Sequence, residues 1–306
     1  MKNFHIALSL TAFAAFLLPS CSDAVDANVS DTDDSGVSLI EAGSSPRRAL
    51  RFSPTKGQKQ TVDMTMKMTM EMVDLAPPIP MGMKFTMEAE TTAVNAEGFE
   101  ITTRVNEASL TEEFTSPMVP IDTVNSELSD GMIGMTTIAS YTSRGIMLKN
   151  DMDMSTLSPA IRQQMEGMKE AMGKMSVPFP KEEVGVGALW TYMQEITANN
   201  IEMTQKVTYE LIDIKGDLVT ISIQTEALTE PQTIDIPDQP GVKMRLESMT
   251  AIGSGQSVFN LKKSLILPEE STMEMESSMD SIIEMGAEEQ PMSMNIGMEI
   301  EVKSRQ

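Results

Sequence analysis

The amino-acid sequence predicts a mainly β fold: two duplicated, curled antiparallel sheets, half-barrel-like, with one amphipathic helix between them. Three observations carry that prediction. Long stretches alternate apolar and polar residues with a period of two, one ordered set of local features occurs twice, and a single stretch between the two occurrences has helical spacing.

Residues 1–20 read as a secretory signal peptide. Lys2 supplies the positive start, and the apolar run from Ile6 to Leu18 is shorter than the roughly 20 residues a membrane span needs. The run ends in Leu18-Pro19-Ser20-Cys21, at the chain's only cysteine. That tetrapeptide resembles the lipobox of bacterial lipoproteins, which implies cleavage before Cys21 and its acylation, palmitate included. Pro19 departs from the small or hydroxyl residue preferred there, and an ordinary secreted protein cut near Ser20 is the alternative. Each buried methylene contributes about 0.8 kcal/mol, so the three acyl chains of that family imply a firm membrane anchor. Ser22, with Asp23 only in the next place, implies the outer membrane, facing the periplasm, rather than the inner.

Residues 21–48 read as a disordered acidic tether, rich in Asp, Ser and Gly, with too little apolar surface to offset ordering entropy. Asp31-Thr32-Asp33-Asp34-Ser35-Gly36 begins like a calcium loop, but Ala42 stands where the closing Glu belongs. Removal of the signal takes Lys2 and no acid, so the mature charge is −23 against −22 for the full chain. Such a balance is expected to repel nucleic acid and anionic headgroups.

The first β unit is expected over 49–155. Val62, Met64, Met66, Met68, Met70 and Met72 alternate with polar partners, and after the prolines at 77–80 so do Met81, Met83, Phe85, Met87 and Ala89. The two segments predict a hairpin that sets Met opposite Met. A helix and linker follow over 156–183. Ser158 is the N-cap, Pro159 occupies the first turn, and Ile161, Met165, Met168 and Met172 share a face. The second β unit takes 184–306 and closes with Met292, Met294, Ile296, Met298, Ile300 and Val302 on one strand face.

The duplication rests on order. Lys56-Gly57 opens one unit and Val186-Gly187 the other. The stretch Val94 to Ile101 matches Ile212 to Val219, each a strand, a Gly turn and a return strand. Glu107 to Glu112 then answers to Glu226 to Glu230. Last, Ile146-Met147-Leu148 leads to Met152 and Met154 as Leu265-Ile266-Leu267 leads to Met273 and Met275. This layout, with Pro178-Phe179-Pro180, Val184-Gly185-Val186-Gly187 and Trp190, resembles a family of uncharacterised exported bacterial lipoproteins over most of residues 50–302. The resemblance implies an architecture and no activity. A more distant likeness, of shape alone, is to the half-barrels of lipoprotein-carrier proteins, which hold acyl chains on a concave apolar face.

Composition narrows the chemistry. The only His is His5, inside the signal. A mature chain without imidazole or free thiol has no Ser-His-Asp triad, Cys nucleophile, disulfide or ordinary zinc site. Ser53-Pro54-Thr55-Lys56 matches Ser-x-x-Lys formally but lacks the partner Lys-Thr-Gly. Carboxylates are abundant, yet aromatic sugar platforms are scarce and no phosphate loop occurs. No enzyme, cofactor or metal site is therefore expected.

Methionine is the compositional anomaly, with 30 in the chain. It can fill a core, bind Cu(I) through thioethers or act as an oxidant sink. The preferred reading is a non-enzymatic, lipid-anchored envelope protein. It binds an apolar ligand or another envelope protein through Met64, Met66, Met68, Met70, Met83, Phe85, Met87, Met294 and Met298. A purely structural envelope lipoprotein and a Cu(I)-handling protein are the alternatives, and no nucleic-acid partner is expected.

Overall fold

The computed structural model describes residues 35–73, 77–111, 131–153, 176–198, 201–235, 242–263, 266–286 and 288–305. The strands are β1 (Val37–Glu41), β2 (Lys59–Met72), β3 (Ile79–Val94), β4 (Phe99–Leu110), β5 (Thr136–Tyr141), β6 (Met147–Asp153), β7 (Leu189–Ala198), β8 (Ile201–Lys215), β9 (Leu218–Thr229), β10 (Gln232–Asp235), β11 (Val242–Asn260), β12 (Glu270–Met285) and β13 (Glu288–Arg305). All neighbours run antiparallel in one open sheet of order β1-β7-β8-β9-β11-β12-β13-β2-β3-β4-β5-β6. β10 takes up the β11 edge beyond the end of β9. Pro231, which has no N–H to give a ladder, stands between the two.

The mainly β prediction is met, but the architecture is one sheet rather than two. The last strand joins the halves: β13 pairs with β12 on one side and with β2 on the other, from Met294↔Met72 to Arg305↔Thr61. Left unpaired, either edge would expose a long row of backbone donors and acceptors. The outer faces of β13, β2, β3 and β4 are stitched by a polar cluster. Arg305 donates to both Asp63 carboxylate oxygens at 2.7 and 2.8 Å, and the Thr86 hydroxyl lies within hydrogen-bond distance of Asp63 and Glu107, with one proton to give to either. The Arg305 hydrogen bond, helped by Thr86, holds the Asp63 carboxyl below its ordinary range.

The predicted Met hairpin forms with Met66 opposite Met83 and Met68 opposite Met81. The helix expected from Ser158 lies outside the described residues. Within the stretch expected as a tether up to residue 48, Val37–Glu41 instead forms β1 on the edge of β7, with Leu39 opposite Trp190. Val37 and Leu39 alternate with polar neighbours and pack on the core. A three-residue alternation inside a Ser- and Asp-rich stretch is a faint signal, and burial against a neighbouring strand outweighs the composition.

One end of the sheet is filled by two crossing segments. Residues 42–53 run beside 177–187 through Ser44–Val186, Ala42–Gly185 and reciprocal Arg48–Val184 backbone hydrogen bonds. The pair brings Leu50, Phe52, Val177, Phe179 and Val184 into a buried cluster with Trp190, Tyr209, Phe99 and Phe259. Phe52 stacks on Phe179 at 5.0 Å and meets Phe99 and Phe259 edge-on, while Trp190 stacks on Tyr209 at 5.5 Å. The Trp190 indole N–H donates to the Pro178 carbonyl at 2.8 Å. Arg144 in the β5–β6 turn exchanges hydrogen bonds with Phe179, tying that turn to the same segment. We call this the aromatic end.

Two strand sets share their pairing details. Gly57 N–H donates to Thr91 and Thr91 N–H to Gln58; Gly187 donates to Leu211 and Leu211 to Ala188. Both glycines have φ of 82°, a region that disfavours a side chain. The β3–β4 ladder shifts register after Thr91↔Ile101 and the β8–β9 ladder after Leu211↔Ile221. Phe99 then faces Tyr141 as Val219 faces Phe259.

Candidate apolar site on the methionine face

Period-two alternation puts Gln60, Val62, Met64, Met66, Met68 and Met70 on one face of β2 and Thr61, Asp63, Thr65, Lys67 and Thr69 on the other. Because β2 lies between β13 and β3, the structure brings all nine sequence-predicted residues onto three adjacent strands. Met298 faces Met68, which faces Met81; Ile300 faces Met66, which faces Met83; Val302 faces Met64, which faces Phe85. Directly opposed residues sit about 4.5–5.5 Å apart at their β-carbons, so the thioethers form rows across the sheet.

Burial divides the set. Met68, Met70, Met294 and Met298 are buried in one cluster and Phe85 in another, with Met64 touching both. Met64, Met66, Met83 and Met87 are only partly buried, as is Met81 beside them. The face thus has a packed part, toward β12 and β11, and a part-exposed centre over β2 and β3. No ionisable side chain lies on this face of β2.

Several members were not among the predicted residues. Met275 and Met279 of β12, Met244, Leu246 and Met249 of β11, and Ile201 and Met203 of β8 complete the same buried cluster. Met273-x-Met275 in β12 offered a period-two signal. In β11 the signal is broken by a register shift between Leu246 and Ser248, which moves the inward positions from even to odd numbers.

The ionisable groups near the cores are phenols. Burial pushes Tyr141 up to about 12, raises Tyr192, and raises Tyr209 further. These hydroxyls stay protonated at neutral pH, which suits packing and not proton transfer. Among the described residues no three His, Cys, Asp or Glu side chains converge as metal ligands. Two open clefts among those residues are lined by Glu41–Ser44 with Arg47, Val186 and Gly187, and by Thr55–Lys59 with Lys263. Neither includes a methionine.

Residues 134–266 match a family model described as a family of unknown function (DUF6263). The match runs from the start of β5 to the β11–β12 turn. It takes in the Phe179–Trp190 packing and leaves out β2, β3, β12 and β13, which hold most of the methionine rows. No curated protein matches the chain.

Proposed function

We propose that the protein is a non-enzymatic, lipid-anchored envelope protein that holds an apolar small molecule against the methionine face. The observation that carries the ligand reading is the part-exposed centre formed by Met64, Met66, Met81, Met83 and Met87 beside a packed apolar wall. Unbranched, polarisable side chains of this kind repack around different shapes at little cost. The acyl anchor at Cys21 rests on the lipobox resemblance, and the absence of His and free Cys from a mature chain supports a binding role over a catalytic one. We also read the sheet as two copies of one five-strand meander, β2–β6 and β7–β9 with β11–β12. The matching glycines, bulges and cross-strand pairs support that reading. A purely structural role is favoured by Met68, Met70, Met294 and Met298, which are already packed against their neighbours.

The anchor predicts that Cys21→Ser abolishes labelled palmitate incorporation and leaves the protein unprocessed or released from membranes. Equal incorporation in the variant refutes the anchor. For the face, native mass spectrometry of protein from its own host is expected to show a bound lipid-like molecule, and a competitive Cu(I) titration an affinity no tighter than about micromolar. Soft thioethers need two or three sulfurs at one point to do better. Tight stoichiometric copper that is lost when Met81 and Met83 become Leu, which preserves apolar volume, makes this a copper protein. Failure to bind either class leaves the structural role.

A further inference from the structure

The inner face of the sheet changes character where its two large cores meet. Val207 and Ile223 belong to the aromatic cluster, and Met203, Ala227 and Met275 to the methionine cluster. Two cross-strand rows run along the boundary. One is Gln194–Gln205–Ala227–Ala251–Ser277, and the other Tyr192–Val207–Thr225–Gly253–Met275. Ala227, Ala251, Gly253 and Ser277 adjoin one another with short side chains or none, so the face is low here. Gly255, the next inward position on β11, is also bare, and Met273 lies across it: a β-carbon there would come within 2.6 Å of Met273 Cγ. Met273 is unbranched, only partly buried and packed on both clusters, so it can swing aside without breaking either core.

Polar groups are left open beside this low ground. Thr225 is fully buried, and its hydroxyl has no hydrogen-bond partner. Gln194 donates to the Gln205 side-chain carbonyl, while its own Oε1 is buried with no donor. Thr225 stands diagonal to Gln205 across the β8–β9 ladder, which puts their β-carbons about 7–8 Å apart. Buried polar atoms are nearly always paired, and an unpaired one destabilises the fold. Here the two are complementary: a hydroxyl with a proton to give and a carbonyl with a lone pair to offer. Neither row contains Asp, Glu, Lys or Arg, and the rows on either side contain none.

We propose that Thr225 and Gln194 seat the head of the apolar ligand, and that this ligand is a long-chain lipid with an uncharged hydroxyl head, as in a fatty alcohol or a monoacylglycerol. The inference rests on the apolar-ligand reading of the methionine face and adds the chemistry of the head. One hydroxyl accepts from Thr225 and donates to Gln194 Oε1, so it completes both open groups at once. A carboxylate has no proton for Gln194 and finds no cation on these rows, and an ammonium finds no anion, so either would be desolvated without compensation. The tail has a path. The Thr225 row continues through Met275, Met298 and Met68 to Met81. Four strand steps of about 4.8 Å separate Thr225 from Met68, roughly 19 Å along the sheet. A long alkyl chain laid over that row passes from the buried seat to the part-exposed methionines.

The test uses the full chain carrying Cys21→Ser, which cannot be acylated and so brings no lipid of its own. Hexadecanol, palmitate and hexadecane, delivered from cyclodextrin, compete with a bound apolar fluorescent dye. Hexadecanol is expected to bind about tenfold more tightly than hexadecane, the effect of one or two buried hydrogen bonds, and palmitate no more tightly than hexadecane. Thr225→Val is expected to cut hexadecanol binding by about fivefold and to leave hexadecane unchanged. It should melt no lower than the parent, because it removes an unpaired buried hydroxyl. Thr225→Ser keeps the hydroxyl and is expected to keep the preference. Equal binding of hexadecanol and hexadecane, tighter binding of palmitate, or an undiminished preference in Thr225→Val overturns the proposed head, while bound dye still upholds the apolar site. If neither the dye nor any of the three binds, the apolar-ligand reading falls and this inference with it.

Discussion

Met68→Asp is expected to lower the melting temperature by about 10 °C or more, while Lys67→Asp moves it by only a few degrees. Met68 is 4% exposed, at the crossing of a row with Met298 and Met81. A carboxylate there has no cation in reach on its face of β2 and must be desolvated or protonated. The cost is several kcal/mol, against a total stability of about 5–15 kcal/mol. In a domain this large each kcal/mol shifts the midpoint by about 2–4 °C. Lys67, one residue earlier, points outward and is about half exposed, 3.8 Å from Glu299. Its loss removes a surface ion pair of at most about 1 kcal/mol and adds a screened repulsion. Thermal melts followed by circular dichroism decide the matter. Equal midpoints for the two variants would show that the alternation does not govern burial.

Trp190→Ala is expected to be the second severe change, costing about 3–5 kcal/mol. The indole is fully buried, stacks on Tyr209, touches Phe179 and donates to the Pro178 carbonyl. Removing it strips one wall from the crossing segments and leaves a buried carbonyl without its donor. Trp190→Phe separates the two contributions. It keeps a ring against Tyr209 and loses the hydrogen bond, so about 1–3 kcal/mol is expected. Denaturant melts of the three proteins should rank wild type, Phe, Ala. If Phe is as damaging as Ala, ring packing is not what holds this end, and if Ala is harmless, the aromatic cluster is not a core.

The methionine rows explain why the site was partly legible. Met64, Met66, Met68 and Met70 announce their shared face by spacing, and Met83, Phe85 and Met87 announce theirs. A hairpin linked by a proline loop has few ways to pair, so Met opposite Met followed from the text of one segment, and the structure set the register that puts Met68 opposite Met81. Met294 and Met298 were recognisable as inward-facing for the same reason. That β13 would lie beside β2, more than 200 residues away in sequence, carries no such mark. Met244 and Met249 were hidden by a bulge, and Arg48, Arg51 and Arg144 by wide separation along the chain.

By itself the sequence determined that the chain is mainly β, which side chains of β2, β3 and β13 share an apolar face, and that a mature chain lacks the groups for imidazole or thiol chemistry. Those properties depend on residue type and on a spacing of two, and both can be read locally. The tertiary structure decided that one sheet forms instead of two, that Val37–Glu41 belongs to it, and that two crossing segments fill its aromatic end. The reason lies in the backbone. Edge N–H and C=O groups are the same for every residue except proline, so a strand's pattern says which way its side chains point and not which edge it will join. That choice is made when burying Met294 and Met298 in one cluster, and Val37 and Trp190 in another, leaves the fewest edges open.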